Sequence, residues 1–484
     1  MADASTNSSY YYEQPFEDAA TTTTTTTTIS NPASNRKRLT IILLVVIGVF
    51  IFLALMALIF NKPSTNTTSS VSTNGQKVNL QFWGVYIDPA VMKPLLDDYH
   101  TQNPNVTIDY ANKWPTGVAY NVAETQYRNN LNSLFRQGDS VKVPDIFMVN
   151  NTWVGDYDTN NYTAASTTYD FDTFKSTFYP VVVDDFAHDG VVHGIPLWMD
   201  TLAILYNKDL LSEKNTQSPP TTWKEFQDLA VKLTKKENGT IKQGGFAALG
   251  TNVSYGFPLF NLLLFQDGVE MLNTKGQPSF STFSTATDAL RFYQGFGNGN
   301  KVTWDSTLKT DAAAFLENKA AMIVATSYRY RDIKTTNEKF NLKVNIGISQ
   351  IPQTSGQAQP VINWADYWGL MTSSIRPNST VAWDFMKWLS QPDQLKKLST
   401  SYASTNKTFG LLYPRKDMQQ ILQTDPDLSV FNASLPFARS WYMVKGIEVK
   451  GIFNTMLNTG TTDSTALAKA QNDVLAQMSN KGKI

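Results

Sequence analysis

Residues 39–60 form an unbroken apolar run, LTIILLVVIGVFIFLALMALIF, that carries no charged side chain. As a helix rising ~1.5 Å per residue, the run is roughly 33 Å long, which matches a hydrocarbon layer of about 30 Å. A cleaved secretory signal has a shorter apolar region, roughly 7–15 residues, followed by a small-x-small site. This run instead ends in Phe60-Asn61-Lys62-Pro63. The sequence therefore predicts one N-terminal transmembrane helix that is retained as an anchor.

Basic residues flank the apolar run unequally. Arg36, Lys37 and Arg38 stand directly before it, whereas Lys62 is the lone basic residue directly after it. Because cytoplasmic flanks carry the excess of positive charge, we expect a single-pass protein of the cell membrane with a cytoplasmic N-terminus and an extracellular remainder. The expected organisation is a disordered cytoplasmic tail over 1–38, the anchor over 39–60, a flexible Ser/Thr/Asn linker over 61–76 and an exported region over 77–484.

Composition argues against several classes of function. The chain has 41 Lys and Arg against 41 Asp and Glu, so its formal net charge is zero and no nucleic-acid partner is predicted. There is no cysteine, which excludes disulfides, thiolate metal sites and cysteine-linked lipid. The histidines His100, His188 and His193 have none of the spacings that bind metals. We therefore expect neither a metal nor a cofactor.

Strand-like and helix-like segments alternate beyond the linker. Apolar patterns predict strands at 78–82, 106–110 and 143–149, with helices at 89–103 and 122–137 between them. This order is typical of an α/β lobe with a largely parallel sheet, in which ligands bind beyond the carboxyl ends of the strands. The candidate ligand-binding residues after the first and third strands are Trp83, Tyr86, Asn150, Asn151 and Trp153.

Five later segments occur in a recognisable order. They are IPLWMDTLAILYNKDLL (195–211), PPTTWKEFQDLAVKLT (219–234), FLENKAAMIVATSY (315–328), ADYWGLMTSS (365–374) and AWDFMKWLSQPDQ (382–394). Together they resemble segments of the extracellular sugar-binding proteins of ABC importers, the group that includes maltose-binding protein. The resemblance covers roughly residues 77–484.

That resemblance implies an α/β, two-lobed periplasmic-binding-protein-like fold of type II, with hinge crossovers and a ligand cleft between the lobes. The implied lobes are discontinuous, one over about 77–195 and 364–410, the other over about 196–363 and 411–484. Many relatives are cleaved secreted proteins or lipoproteins with an acylated cysteine. This chain has no cysteine, so its membrane attachment is expected to depend on the anchor helix.

The resemblance also extends the set of candidate ligand-binding residues. A sugar presents flat apolar C–H faces and a ring of hydroxyls, so a sugar cleft should combine aromatic rings with charged or amide groups. Aromatic residues at strand ends also serve in the core, an aspartate can cap a turn and an arginine can form a plain ion pair. The residues at the crossovers and later ligand-facing positions are Trp198, Asp200, Tyr328, Trp364, Asp366, Tyr367, Arg439 and Trp441.

The expected function is the solute-binding component of an ABC transporter, which captures a carbohydrate by closing its lobes and delivers it to permease subunits. The ATPase would be a separate chain, because no G-x-x-x-x-G-K-[ST] motif is present. A glycosidase is disfavoured, because the adjacent pairs Asp97-Asp98 and Asp184-Asp185 do not suit paired-carboxylate catalysis. A peptide or other polar solute as ligand, and a surface sensor or adhesin, remain the alternatives.

Overall fold

The computed structural model describes residues 73, 75–118, 120–138, 140–354 and 361–479. The predicted cytoplasmic tail, the anchor at 39–60 and most of the linker lie outside the described residues. Among the residues that are described, no helix has both the length and the apolar character needed to cross a bilayer.

Strands and helices alternate along most of the described chain. The strands are β1 (Val78–Gly84), β2 (Val106–Asn112), β3 (Ile146–Asn150), β4 (Ala187–His188), β5 (Val191–Val192), β6 (Ile195–Thr201), β7 (Ala203–Asn207), β8 (Lys235–Glu237), β9 (Thr240–Ala247), β10 (Ala320–Ala325), β11 (Ile346–Gln350), β12 (Asn363–Thr372) and β13 (Ala438–Arg439).

The helices pack around two large sheets, and β4 and β5 form a separate two-stranded sheet. The helices are α1 (Pro89–Gln102), α2 (Tyr120–Gln137), α3 (Val154–Asp158), α4 (Phe171–Thr177), α5 (Pro180–Phe186), α6 (Lys208–Ser212), α7 (Trp223–Leu233), α8 (Gly256–Gln266), α9 (Ser284–Gln294), α10 (Asp311–Leu316), α11 (Ser327–Lys339), α12 (Ser379–Leu389), α13 (Pro392–Asn406), α14 (Ser429–Ser434), α15 (Gly446–Asn458) and α16 (Ser464–Ser479).

The first sheet has the order β13-β12-β3-β1-β2, and β6 pairs with β12 beside this path. Strand β1 is parallel to β2 and β3, which confirms the predicted parallel arrangement at the start of the exported region. The third strand begins at Ile146 rather than at the predicted Val143. Pro144 has no N–H to donate to a ladder, and the carboxylate of Asp145 accepts from the backbone N–H of Gln81 at 2.8 Å.

The second sheet has the order β11-β7-β10-β9-β8. Strand β10 is parallel to β9 and antiparallel to β7, so this sheet is mixed. Alternate residues of β7 face different cores: Ala203 and Leu205 lie in the core shared with the first sheet, whereas Ile204 and Tyr206 lie in a second core. Helices therefore cover both faces of this sheet, as in other α/β proteins.

The chain passes between the two sheets at Leu202, between β6 and β7, and returns before Asn363 at the start of β12. The Leu202 N–H donates to Asn363 Oδ1 at 3.2 Å, and Asn363 Nδ2 donates to the Leu202 carbonyl at 2.8 Å. One buried amide thus satisfies both backbone groups at the crossing point. The predicted lobe boundary after residue 195 precedes this point, since β6 pairs with β12 in the first sheet.

Helix α15 approaches the first sheet closely at its first residue. A Cβ on Gly446 would lie 1.8 Å from the carbonyl oxygen of Thr152, so only glycine permits this contact. Further along α15, Glu448 is ion-paired with Arg128 of α2, and Val449 and Phe453 are buried in the second core. The helix therefore connects the first lobe to the second core and sets the position of Lys450.

Candidate functional site

Four aromatic rings from both sheets meet at the carboxyl ends of the first parallel strands. Tyr86 follows β1, Trp114 follows β2, Trp368 lies on β12 and Tyr328 lies in the first turn of α11. The Tyr86 ring centroid is 4.3 Å from Trp114, 5.1 Å from Tyr328 and 5.4 Å from Trp368. We call these four rings the junction cluster. Its location agrees with the rule that open α/β sheets bind ligands beyond their strand ends.

Charged and amide side chains lie directly beside the junction cluster. The Trp153 ring, 5.1 Å from Trp368, donates its Nε1–H to Glu124 Oε1 at 3.2 Å. Lys450 Nζ donates to the same carboxylate at 2.8 Å. Asn150 Nδ2 donates to Asp366 Oδ1 at 2.9 Å. Burial raises the pKa of the Asp366 carboxyl, while the Lys450 charge acts in the opposite direction.

Strand pairing explains why several of these groups share one face of the first sheet. On β12, Asp366 and Trp368 are two residues apart and so point to the same face. Strand β6 pairs Asp200 with Asp366 and Trp198 with Trp368, and β3 pairs Asn150 with Trp368. Directly paired residues also lie on the same face. The face that carries the junction cluster is therefore rich in carboxylate, amide and indole groups.

Asp200 joins this face to the N-terminus of α11. Its carboxylate accepts from the Ser327 N–H at 3.0 Å, the Ser327 hydroxyl at 2.7 Å and the Tyr328 N–H at 3.1 Å. Burial raises the pKa of Asp200 to about 7, although these donors act in the opposite direction. A carboxylate at a helix N-terminus is favoured by the orphan N–H groups and the helix dipole. Asp200 thereby fixes the position of Tyr328.

Among the residues predicted from the sequence, the structure brings Tyr86 and Tyr328 into direct contact. Asn150, Trp153 and Asp366 lie beside them through the contacts given above. Trp198 is buried on the same face. Trp83 is half-buried, and the Lys113 ammonium lies 4.9 Å from its ring centroid. The Trp83 ring also packs against the core shared with the first sheet.

Other predicted residues lie away from the junction cluster, in the interior. Trp364 is 1% exposed and stacks on Phe265 at 6.1 Å. Tyr367 points to the opposite face of β12, and its hydroxyl donates to Asp185 at 2.5 Å. Trp441 is buried and donates its Nε1–H to Asn261 at 3.0 Å.

Of the two remaining predicted residues, Asn151 bonds to the protein backbone and Arg439 faces solvent. The Asn151 side chain accepts from the Tyr367 N–H and donates to the Ala365 carbonyl, both at 3.3 Å. Arg439 is exposed on β13. For every one of the predicted residues, inside or outside the junction cluster, contact with a ligand stays a prediction.

Sequence reasoning did not identify Trp114, Glu124, Trp368 and Lys450. Trp114 could have been found, because it follows a parallel strand just as Tyr86 does. Trp368 could have been found from the alternation that places it with Asp366 on one face of β12. Glu124 and Lys450 are separated by 326 residues, and no local pattern indicates their pairing. The described residues contain no cluster of His, Cys, Asp or Glu that could hold a metal ion.

Comparison with known families gives a match over much of the chain. The family model described as bacterial extracellular solute-binding protein matches residues 94–427. A Brucella abortus (strain 2308) protein, described by its name only as a binding protein, is 25% identical over a 342-residue alignment that covers 67% of this chain and 78% of that protein.

Solved structures share the fold over most of the chain. The sugar-binding protein MalE from Xanthomonas citri superposes with a TM-score of 0.65 and 19% identity, covering 83% of this chain and 98% of that one. An ABC transporter solute-binding protein from Thermotoga lettingae TMO, bound with α-D-tagatose, gives a TM-score of 0.62 and 18% identity, covering 83% and 99%.

Proposed function

The chain belongs to the bacterial extracellular solute-binding proteins, and from this premise we propose that it captures a sugar or oligosaccharide outside the cell for an ABC importer. The junction cluster is the observation that carries the proposal. Tyr86 follows β1 of the first sheet, Tyr328 follows β10 of the second sheet, and their ring centroids are 5.1 Å apart. A ligand lying there would contact both lobes at once.

The chemistry around the junction cluster suits a carbohydrate. Indole and phenol rings cover flat C–H faces, while Asp366 and Glu124 offer carboxylate acceptors to hydroxyls and Lys450 offers a donor. The sugar-binding protein MalE from Xanthomonas citri and the Thermotoga lettingae solute-binding protein bound with α-D-tagatose share this fold. Beside the rings, Lys450 is ion-paired with Glu124 and Asp366 accepts from the Asn150 amide, which favours a neutral polar ligand over a strongly charged one.

Capture is proposed to operate by closure of the lobes. The chain crosses between the sheets at Leu202 and Asn363, and rotation about these crossings would separate Tyr86 from Tyr328. A ligand can favour the closed arrangement only by binding it more tightly than the open one. Contact with rings from both lobes would supply that difference in affinity between the closed and open arrangements.

Membrane attachment and delivery complete the proposal. The apolar run at 39–60, with basic residues before it, would hold the binding domain at the outer face of the cell membrane through one helix. A permease would receive the ligand, and a separate ATPase chain would supply the energy. Protease added to intact cells should remove the domain after residue 61 and leave the N-terminal tail protected.

A thermal-shift screen tests the ligand class directly. A ligand that binds only the folded state must raise the melting temperature of the purified protein. We expect mono- or oligosaccharides to raise it and a matched set of short peptides to leave it unchanged. Shifts with peptides but with no sugar would contradict the carbohydrate assignment, and hydrolysis of an oligosaccharide would contradict a role in binding alone.

A further inference from the structure

Tyr86 stands in a backbone conformation that tyrosine rarely adopts. Its φ is 60°, in the left-handed region. The Ile87 N–H donates to the Val85 carbonyl at 2.8 Å, which closes a three-residue γ-turn centred on Tyr86. A γ-turn with positive φ at its centre is rare and strained. Both neighbours are fully buried, and the Tyr110 hydroxyl donates to the Ile87 carbonyl at 2.7 Å, so the surrounding structure imposes this conformation.

The strained turn directs the tyrosine ring into the middle of the junction cluster. Trp114 and Trp368, whose centroids are 5.9 Å apart, both contact Tyr86, and so does Tyr328 from the other side. Aromatic pairs at such distances are in direct contact. The Tyr86 ring therefore occupies the space in which the apolar face of a sugar would pack against Trp114, Trp368 and Tyr328.

We propose that Tyr86 is a displaceable gate whose ring covers the aromatic surface of the site until a saccharide displaces it. The inference rests on the proposed function and adds a specificity-determining residue to it. Displacement opens the γ-turn and allows the backbone to leave the left-handed region. The energy stored in the turn then offsets part of the cost of separating Tyr86 from the three other rings.

The alternative is that Tyr86 is a fixed contact which binds the ligand from its present position. The two roles make opposite predictions for Tyr86→Ala. A gate slows entry, because only the fraction of molecules with the ring displaced can bind, so removing the ring raises the association rate. A fixed contact adds affinity, so removing the ring weakens binding.

The first experiment measures acrylamide quenching of tryptophan fluorescence in the full-length chain without sugar. Loss of the Tyr86 ring should uncover Trp114 and Trp368 and increase quenching in Tyr86→Ala. Tyr162→Ala is the matched control, because it removes a half-buried ring that stacks on Phe135 at 4.8 Å, outside the junction cluster. Equal quenching in Tyr86→Ala and the wild type would overturn the gate.

A glycine variant tests the strain separately. Tyr86→Gly also removes the ring, but glycine adopts positive φ without steric cost. It should therefore melt at a higher temperature than Tyr86→Ala. An equal or lower melting temperature would show that the turn is not strained and would remove the basis of the gate.

The closing experiment uses the saccharide that shifts the wild-type melting temperature, with association followed by stopped-flow fluorescence. The gate predicts an association rate about threefold to tenfold higher in both Tyr86→Ala and Tyr86→Gly. Unchanged or slower association, or weaker affinity, would overturn it. If no saccharide shifts the wild type, the proposed function fails, while the quenching comparison still decides whether Tyr86 covers the two tryptophans.

Discussion

At the scale of the residue, exposure separates a tryptophan that serves the core from one that can serve a ligand. Trp153 is 0% exposed and its indole N–H is bonded inside the protein, whereas Trp114 is half-buried at the edge of the junction cluster. Both follow a strand of the first sheet. The position of Trp114 leaves part of its ring available for the apolar face of a sugar.

Trp114→Ala is expected to weaken saccharide binding by about tenfold, since a lost ring contact of ~1.4 kcal/mol corresponds to that factor. Isothermal titration calorimetry measures the change. Trp388→Ala is the matched control, because Trp388 is also half-buried and donates its indole N–H to Gln102 far from the junction cluster. Equal losses in both variants would indicate general destabilisation and not a ligand contact.

A second prediction at this scale concerns Asp366 and pH. Burial raises the pKa of its carboxyl above the ordinary value, so the charged acceptor is lost at a higher pH than for an exposed aspartate. Affinity should therefore fall as pH decreases toward that raised pKa. Asp366→Asn should bind more weakly than the wild type at neutral pH, and its affinity should change less when the pH is lowered. A wild-type affinity that does not fall as the pH is lowered would contradict the role of Asp366.

At the scale of the element, the N-terminus of α11 depends on a carboxylate from another part of the chain. Asp200→Ala leaves the N–H groups of Ser327 and Tyr328 without their acceptor. The expected destabilisation is about 1–2 kcal/mol, as for other lost helix caps, together with weaker saccharide binding because Tyr328 is no longer held. Chemical denaturation and calorimetry measure the two effects.

Asp170→Ala is the matched control for that variant. Asp170 caps α4 by accepting from the Thr173 N–H at 2.8 Å, but it is exposed and remote from the junction cluster. Its loss should leave saccharide affinity unchanged. If Asp200→Ala also retains wild-type affinity, Asp200 serves the stability of α11 without positioning Tyr328 for a ligand.

Strands and helices can be predicted from the sequence, whereas side-chain pairings between distant elements cannot. The alternation of strand and helix periods predicted β1 to β3 and their parallel pairing, because each period is set locally by one buried face. On β12, the same alternation places Asp366 and Trp368 on one face and Tyr367 on the other. Ligand contact was nevertheless predicted from the sequence for both Tyr367 and Asp366. The pairing of Glu124 with Lys450 depends on tertiary packing, which no local period encodes.

At the scale of the whole molecule, the two sheets are linked by more than the crossing strands. Asn363 bonds both backbone groups of Leu202 at the crossing point, Asp200 bonds the start of α11, and Arg128 pairs with Glu448 of α15. The Asn363 and Asp200 contacts lie next to the crossing at Leu202, so the proposed rotation of the lobes would displace them least. The rings of Tyr86 and Tyr328 are the contact that rotation would break.

The pH dependence of stability follows from buried carboxyls across the molecule. Burial raises the pKa of Asp185 and of Asp200 from 3.8 to about 7. At a pH between 3.8 and about 7, these carboxyls are protonated in the folded state and ionised in the unfolded state. The free energy of unfolding therefore falls as the pH rises from about 4 to 7. Burial of His188 lowers its pKa and opposes this trend. The carboxyls that ion pairs or hydrogen bonds hold below their ordinary pKa, such as Asp158, are ionised in both states above pH ~5.

Asp185→Asn isolates one of these groups. Tyr367 and Ser440 donate hydroxyl hydrogens to Asp185, and the amide oxygen of asparagine can accept from them. The variant should lose stability less steeply than the wild type between pH 5 and 7, by up to roughly 1.4 kcal/mol per pH unit for the one proton removed. Urea unfolding at a series of pH values measures the slope. Asp170→Asn should keep the wild-type slope, because the pKa of that exposed carboxyl is lowered and it titrates below this range. A wild type whose stability rises steadily from pH 5 to 7 would show that Asp185 and Asp200 are ionised in the folded protein throughout.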